Sequence, residues 1–237
     1  MSMLPSVRAS LAERFLFNFR LPAEAMSRYL PTSWLVPQPV NGYGVVSFCL
    51  LDLRNITVAP LPTVAGFASL NCAPRYAVLD VSQPSPTPAV YVTERHTDCA
   101  FGSWLTSRGW PACHPYAEVD VRRENDRVAL RVSGGGGAPL FAASVRPAET
   151  LDSALFPSLD AFTGFIAQGV TSYGRSRYPG RLTKVELRKT DGAYAPLSAL
   201  EVSGTLVEEW YRSGAVLDSA FRTFGGRYEW TYRGLRD

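Results

Sequence analysis

The feature that most constrains the fold of this chain is a long series of short segments in which apolar and polar residues alternate. The segments are rich in β-branched and aromatic residues, and turn residues separate them. They cover residues 14–19, 43–51, 75–81, 89–96, 116–123, 127–133, 140–145, 182–189, 200–208, 215–224 and 227–232. Many short strands with little helix between them predict a mainly β fold, a sandwich or barrel, rather than alternating strands and helices.

Three short helical segments interrupt this pattern and are expected to flank the strands. The first begins at Pro22, a residue that fits the first turn of a helix. Asp98 and Ser158 stand where they would cap the second and third helices. Gly109 and Gly169 stand where these two helices would end.

Composition limits the classes of function open to the chain. Its 237 residues are 46% hydrophobic and 19% charged, which is enough material for a core, and no change of composition marks a boundary. We therefore predict one domain over residues 1–237. The net charge is only +3 and the charges are interspersed, so no nucleic-acid partner is expected. The cluster of Arg175, Arg177 and Arg181 is either a solvated loop or an anion-binding rim.

The sequence also predicts a cytoplasmic protein with no membrane partner. No apolar run reaches the length of about 18 residues that a membrane-spanning helix needs. Arg8 and Glu13 interrupt the segment that a signal peptide would keep apolar. The cysteines are sparse for a chain of this length and are expected to be free thiols in a reducing compartment. They are Cys49, Cys72, Cys99 and Cys113.

The segment 88–111 carries the densest set of groups suited to chemistry. A strand predicted over residues 89–96 runs into Glu94, Arg95 and His96, and the second helix follows at once. Strict alternation would place Glu94 and His96 on one face with Val92, and Arg95 on the other face. If the Glu94 face is internal, a carboxylate and an imidazole could serve acid–base chemistry. If that face is external, the two groups only decorate a solvated surface, and the sequence leaves both interpretations open.

No metal or cofactor site is predicted. His96 and His114 are the only histidines, and with Cys99 and Cys113 they form an irregular spacing that is not typical of zinc sites. The sequence also lacks a hydrolase nucleophile elbow and the glycine-rich motifs that hold phosphates.

The order of segments resembles the acetoacetate decarboxylase-like superfamily, especially a bacterial branch whose function is not established. The resemblance rests on RFLFNFRLPAEAMSRYLPTSW, on AVYVTERHTDCAFGSWLTSRGWP and on the hairpin YAEVDVRRENDRVALRVS. It spans nearly the whole chain and is clearest over residues 12–133. It implies a closed, largely antiparallel β-barrel with flanking short helices, a central cavity and a homo-oligomer.

The resemblance also implies which catalytic groups this chain lacks. In the decarboxylases, one of two consecutive lysines forms a Schiff base with a 3-oxo acid. The lysine pair would fall near Phe101 and Gly102, and a decarboxylase carboxylate near Ser69. Arg14 is the closest match to an arginine of the decarboxylase pocket. Decarboxylation by the usual imine route is therefore not expected.

Three functional hypotheses follow. The first is a barrel that binds a small organic acid or oxo-compound, where Glu94 or His96 transfers a proton in lyase, hydratase or isomerase chemistry without a Schiff base. The residues expected to bind the substrate are Arg14, Asn71, Arg75 and Arg95. The second is a non-catalytic ligand-binding or scaffold barrel filled by aromatic side chains. The third is a true 3-oxo acid decarboxylase that uses Lys184; Lys189, five positions later, would face the opposite side of the strand.

Overall fold

The computed structural model describes residues 4–109, 112, 114–135 and 138–237, so Cys113 lies outside the described residues. The strands are β1 (Val7–Leu21), β2 (Leu35–Pro37), β3 (Gly44–Val58), β4 (Phe67–Asp80), β5 (Thr87–Val92), β6 (His96–Thr97), β7 (Glu118–Glu124), β8 (Arg127–Ser133), β9 (Pro139–Pro147), β10 (Thr171–Arg175), β11 (Leu182–Asp191), β12 (Tyr194–Ser203), β13 (Val216–Phe224) and β14 (Gly226–Arg236). The helices are α1 (Ala23–Ser27), α2 (Ala100–Gly109), α3 (Leu159–Gln168) and α4 (Thr205–Arg212).

Seven strands form a closed, barrel-like ring. Their hydrogen-bonded order is β14-β11-β10-β5-β4-β3-β1, and β1 pairs again with β14, where Val7 lies opposite Trp230. The β5–β10 pair is parallel, and the other pairs of the ring are antiparallel. The prediction of a mainly β, largely antiparallel, barrel-like fold with short helices is confirmed.

A second group of strands branches from β1, because β1 is long enough to hold two partners. Its first residues pair with β14, and residues 13–20 pair with β13. The sheet then continues through β12, β9 and β8 to β7. Phe48 of β3 stacks on Phe141 of β9 with 3.9 Å between ring centroids, so a large aromatic core fills the space between ring and branch.

The two faces of the ring carry different side chains. Residues paired directly across neighbouring strands share a face, and residues alternate between faces along each strand. By this rule Arg75, Val92, Ser172, Lys189 and Tyr228 share one face. The aromatic core described above packs against the other face.

Helix α3 lies across the face that carries the charged residues. Its Phe162 stacks on Phe221 of β13 with 3.6 Å between centroids. A methyl group added to Gly169, just after the helix, would lie 3.1 Å from the Val90 side chain of β5. Because the helix segment reaches from β13 of the branch to β5 of the ring, we call the face beneath it the inner face.

Two predicted strands differ from the structure. The segment predicted as one strand over residues 89–96 breaks after Val92 and resumes as the two-residue strand β6, which pairs with β4. The segment predicted as a strand over residues 200–208 leaves the sheet at Gly204 and becomes helix α4, which buries Val207 and Trp210. Strands β2 and β10 were not predicted, because each is too short for alternation to be visible.

The predicted helix caps are partly confirmed. The hydroxyl of Ser158 accepts a hydrogen bond from the Ala161 N–H at 3.1 Å, and Gly169 follows the end of α3. The prediction for Asp98 is wrong. Its carboxylate accepts from the Leu70 N–H at 2.8 Å, which joins it to β4 instead of to the start of α2.

Two further features of the described residues concern thiols and membranes. Cys49 and Cys72 are free and buried, and Cys99 is free and partly exposed. None of the described helices has the length and apolar character needed to cross a bilayer.

Candidate functional site

A cleft of about 330 Å³ opens where β5 and β10 end. These neighbouring strands are parallel, so their carboxyl ends meet at one edge and the segments that follow diverge there. The cleft is lined by Thr93, Glu94, Ser103, His114, Pro115, Arg175 and Ser176. Loops at the end of rigid strands are common positions for binding and catalytic groups.

Glu94 and His96 form a pair at this cleft. The Nε2 atom of His96 lies 3.4 Å from a carboxylate oxygen of Glu94, and Arg175 lies 3.7 Å from the other oxygen. Glu94 is half exposed while His96 is buried. Burial lowers the pKa of His96, and the Glu94 charge offsets only part of that effect. The imidazole is therefore neutral at neutral pH and available as a proton acceptor.

Arg95 lies on the inner face, contrary to the alternation that the sequence predicts. Its guanidinium donates to the hydroxyl of Ser172 at 3.2 Å. Ser172 is paired with Val90, so Arg95 shares the face of Val90 and not that of Tyr91. The prediction is wrong because the chain bends after β5, and alternation holds only within a continuous strand.

Among the described residues, Arg95 and Arg75 are cations without a counter-charge. In the part of the chain that the structure describes, neither has a carboxylate within ion-pair distance. Burial, and secondly the charge of Arg75, lower the pKa of Arg95 to about 10. A buried charge is costly unless an opposite charge accompanies it. This arrangement is suited to an anionic ligand.

Unsatisfied polar atoms gather around the same place. The Nδ1 atoms of His96 and His114 and the Nε atom of Arg75 are buried and have no hydrogen-bond partner. Burial and the nearby charge of Arg95 lower the pKa of His114 to about 3, so its imidazole is neutral. Buried polar groups are normally hydrogen-bonded, so three unpaired atoms in one region favour a site for water or a ligand.

Arg14 belongs to a second network on the inner face, in which Asp191 supplies a counter-charge. It donates to the Tyr194 hydroxyl at 2.8 Å and lies 3.8 Å from Asp191. The Lys189 amine lies 2.5 Å from the same carboxylate, and the Tyr228 hydroxyl donates to its other oxygen. Burial, together with the charge of Arg14, lowers the pKa of Lys189 to about 8. Arg75 also lowers it, which places Arg75 within electrostatic reach of this network.

The side chain of Asn71 is hydrogen-bonded to the backbone. Its amide donates to the Ser69 carbonyl at 3.0 Å, and in the β4–β6 pair it lies opposite Thr97. Of the predicted site residues, Glu94 lines the cleft and His96 contacts Glu94, whereas Arg95 and Arg75 lie on the inner face and are not among the residues that line the cleft. Asn71 does not line the cleft either.

Ser69, the position that the resemblance implies for the decarboxylase carboxylate, borders a different cleft, of about 270 Å³, whereas Phe101, Gly102 and Arg14 do not line it. It is lined by Glu13, Phe15, Leu50, Asp52, Arg54, Ala68, Ser69, Leu70, Asp98, Val121 and Arg123. Its charged groups are largely paired, since Glu13 binds both Arg123 and Arg222 and Asp52 binds Arg54. Of the described residues, no lysine lines this cleft. Asp98, which also lines it, accepts hydrogen bonds from the Ser69 hydroxyl and the Leu70 N–H.

Sequence reasoning did not predict five residues of the first cleft, which are Thr93, Ser103, His114, Pro115 and Ser176. The serines carried no signal, because serine is common in loops. His114 was considered only for a hydrolase triad and as a metal ligand. The anion-binding interpretation of the cluster around Arg175 was the available signal, and Arg175 does line the cleft.

No family model matches the chain, and no curated protein does. Solved structures share its fold at low identity. An acetoacetate decarboxylase from Legionella pneumophila is 12% identical with a TM-score of 0.67 over 97% of this chain and 87% of the other. An acetoacetate decarboxylase-like enzyme from Sphingomonas wittichii is 13% identical with a TM-score of 0.63 over 97% and 91%. The enduracididine biosynthesis enzyme MppR, in complex with pyruvate, is 14% identical with a TM-score of 0.62 over 100% and 91%. The chain therefore has the acetoacetate decarboxylase-like fold.

Proposed function

We propose that this protein, which has the acetoacetate decarboxylase-like fold, binds a small organic acid or oxo-compound at the cleft between β5 and β10. The observation that carries the proposal is Arg95, a largely buried guanidinium with no carboxylate partner in the described part of the chain. An arginine of this kind binds a carboxylate through two parallel hydrogen bonds. MppR, a structural neighbour, was solved with pyruvate bound, which agrees with a small acid as ligand.

Glu94 and His96 supply the chemistry in this proposal. With the carboxylate fixed on Arg95, the neutral imidazole of His96 accepts a proton from the carbon next to a carbonyl group. Glu94, 3.4 Å from that ring, stabilises the imidazolium that forms. The reaction class is a lyase, hydratase or isomerase step that needs no Schiff base and no cofactor.

Ligand binding is tested by calorimetric titration of small mono- and dicarboxylic acids and 2-oxo acids. Arg95→Met should abolish binding, and the exposed Arg146→Met is the matched control that should retain it. Loss of binding in both variants, or in neither, would contradict the assignment to Arg95.

Catalysis is tested separately with Glu94→Gln and His96→Asn. Both variants should bind the acid and lose proton exchange at the adjacent carbon, as followed by NMR in deuterated water. If no bound acid exchanges its protons in the unmodified protein, the non-catalytic ligand-binding or scaffold alternative is favoured. The inner face argues against a barrel filled by aromatic side chains, because its Arg75 and Arg95 keep partial solvent exposure.

The homo-oligomer that the resemblance implies remains a prediction, and so does the single domain over residues 1–237. Analytical ultracentrifugation of the full chain measures the number of copies directly. A sedimenting species with the mass of one chain, 26.0 kDa, would contradict the oligomer.

A second candidate function is imine chemistry at Lys189. Its amine is buried, is held by Asp191 and has a pKa lowered to about 8, whereas Lys184 lies on the other face with its amine 5.9 Å from the Tyr173 ring centroid. Borohydride trapping with 3-oxo acids tests this, because the chain contains only these two lysines. An adduct on Lys189 that Lys189→Met removes would support it. An adduct on Lys184 would support the decarboxylase hypothesis, and no adduct would exclude both.

A further inference from the structure

The inner face holds more positive charge than one carboxylate balances. Arg14, Arg75, Arg95 and Lys189 lie on it, and Asp191 is the carboxylate that pairs with two of them. Two cations are therefore left without a partner among the described residues. Glu94 does not offset them, because it is half exposed and already engaged by His96 and Arg175.

The two unpaired cations, Arg75 and Arg95, are neighbours, but they project from different elements. Arg95 is fixed at the β10 end by the Ser172 hydroxyl. Arg75 projects from β4 opposite Val92, within electrostatic reach of Arg95 on one side and of Lys189 on the other. Both arginines keep partial exposure, so a solute can reach them from water. A single carboxylate on Arg95 would leave Arg75 beside two other cations.

We infer that the acid bound at this site is a small dicarboxylate, with one carboxylate on Arg95 and the other on Arg75. This inference rests on the proposed function and narrows its substrate class. The second carboxylate relieves repulsion that a monocarboxylate leaves in place, because opposite charges in a poorly solvated site attract much more strongly than in bulk water. Arg95 therefore provides the affinity for a carboxylate, and Arg75 provides the preference for a dicarboxylate over a monocarboxylate.

The test uses acids that differ only in the second carboxylate. Succinate is compared with butyrate, and glutarate with valerate, by calorimetric titration at constant ionic strength. We expect the dicarboxylate of at least one pair to bind about tenfold more tightly or better than its monocarboxylate. Arg75→Met should weaken the dicarboxylate to the level of its partner and leave the monocarboxylate unchanged. Arg146→Met should keep the discrimination.

The possible outcomes distinguish a failure of the dicarboxylate inference from a failure of the proposed function. If both members of every pair bind equally, or if Arg75→Met weakens both equally, the dicarboxylate assignment is overturned while acid binding stands. If no acid of either kind binds, the proposed function itself fails. Arg75→Gln, which keeps a polar side chain, repeats the measurement should Arg75→Met not fold, with folding checked by circular dichroism.

Discussion

Arg95 carries a positive charge into the inner face, where no carboxylate of the described residues meets it. In the ligand-free protein such a charge costs stability, because it has lost part of its hydration. We expect Arg95→Met to raise the melting temperature of the ligand-free protein by about 2–4 °C, which corresponds to about 1 kcal/mol for a chain of this size. Arg146→Met should leave it unchanged. A lower melting temperature for Arg95→Met would mean that its packing contributes more than its charge costs.

His114 gives the protein a defined sensitivity to acid. Its pKa is about 3 in the folded protein against an ordinary value of 6.5, so the unfolded chain takes up the proton first. The stability linked to this group is complete above about pH 6.5 and is lost as the pH falls from there towards 3. We expect His114→Gln to lose less stability than the unmodified protein between pH 6.5 and 4, as measured by urea unfolding. Equal losses would show that His114 is not buried as a neutral ring.

The sequence indicated which individual residues could carry charge and chemistry, but not which of them lie together in the fold. Glu94, His96 and Arg95 stood out because they follow an apolar strand without interruption. Arg14 and Lys189 could not be assigned to one network, because 175 positions separate them and only the pairing of β1 and β11 with β14 brings them together.

Strand β10 has only five residues, but it holds the side chain of Arg95 in place. A methyl group at Gly174 would lie 2.2 Å from a terminal nitrogen of Arg95, so the guanidinium lies in a notch that only glycine leaves open. This contact could not be predicted from the sequence, because β10 is too short for its pattern to be read and the two residues are 79 positions apart. Parts of β1 and β8 were recognisable because their residues alternate, and part of β3 because it is a nearly continuous apolar run.

The close approach of Arg95 to Gly174 predicts that a single methyl group added at position 174 weakens acid binding. Gly174→Ala should displace Arg95 and weaken acid binding by about tenfold or more, as measured by titration calorimetry. The control is Gly164→Ala in α3, where nothing lies within 4 Å of the added carbon. That variant should bind normally and be up to about 1 kcal/mol more stable, because alanine favours helix. Unchanged binding by Gly174→Ala would indicate that Arg95 does not receive the ligand.

Helix α4 is held by one large side chain. Trp210 is fully buried, donates from its indole N–H to the Tyr76 hydroxyl at 3.0 Å and meets Phe19 edge-on. Trp210→Ala should lower the free energy of unfolding by about 3–5 kcal/mol in urea titrations. Tyr211→Ala, at a residue that is 44% exposed on the same helix, should cost much less. Similar losses from both would argue that α4 as a whole, and not the tryptophan, supplies the stability.

For the whole molecule, the pairing of the first and last strands closes the ring. If closure holds in solution, the amides of residues 7–10 and 227–230 exchange hydrogen as slowly as those of central β3. Strand β7, which pairs with one strand only along its length, should exchange faster. Hydrogen–deuterium exchange measured by mass spectrometry checks this directly. Equally fast exchange in β14 and β7 would mean that the ring opens readily.

The opposite orientation of the two lysines has a practical consequence. Of the two lysines, Lys184 should react more readily with reagents that acylate amines in water, because Lys189 is held by Asp191 and its side chain is 9% exposed. Lys184 stands on the far side of the strand from the arginines. A fluorophore coupled to Lys184 would therefore leave the arginines of the inner face unobstructed.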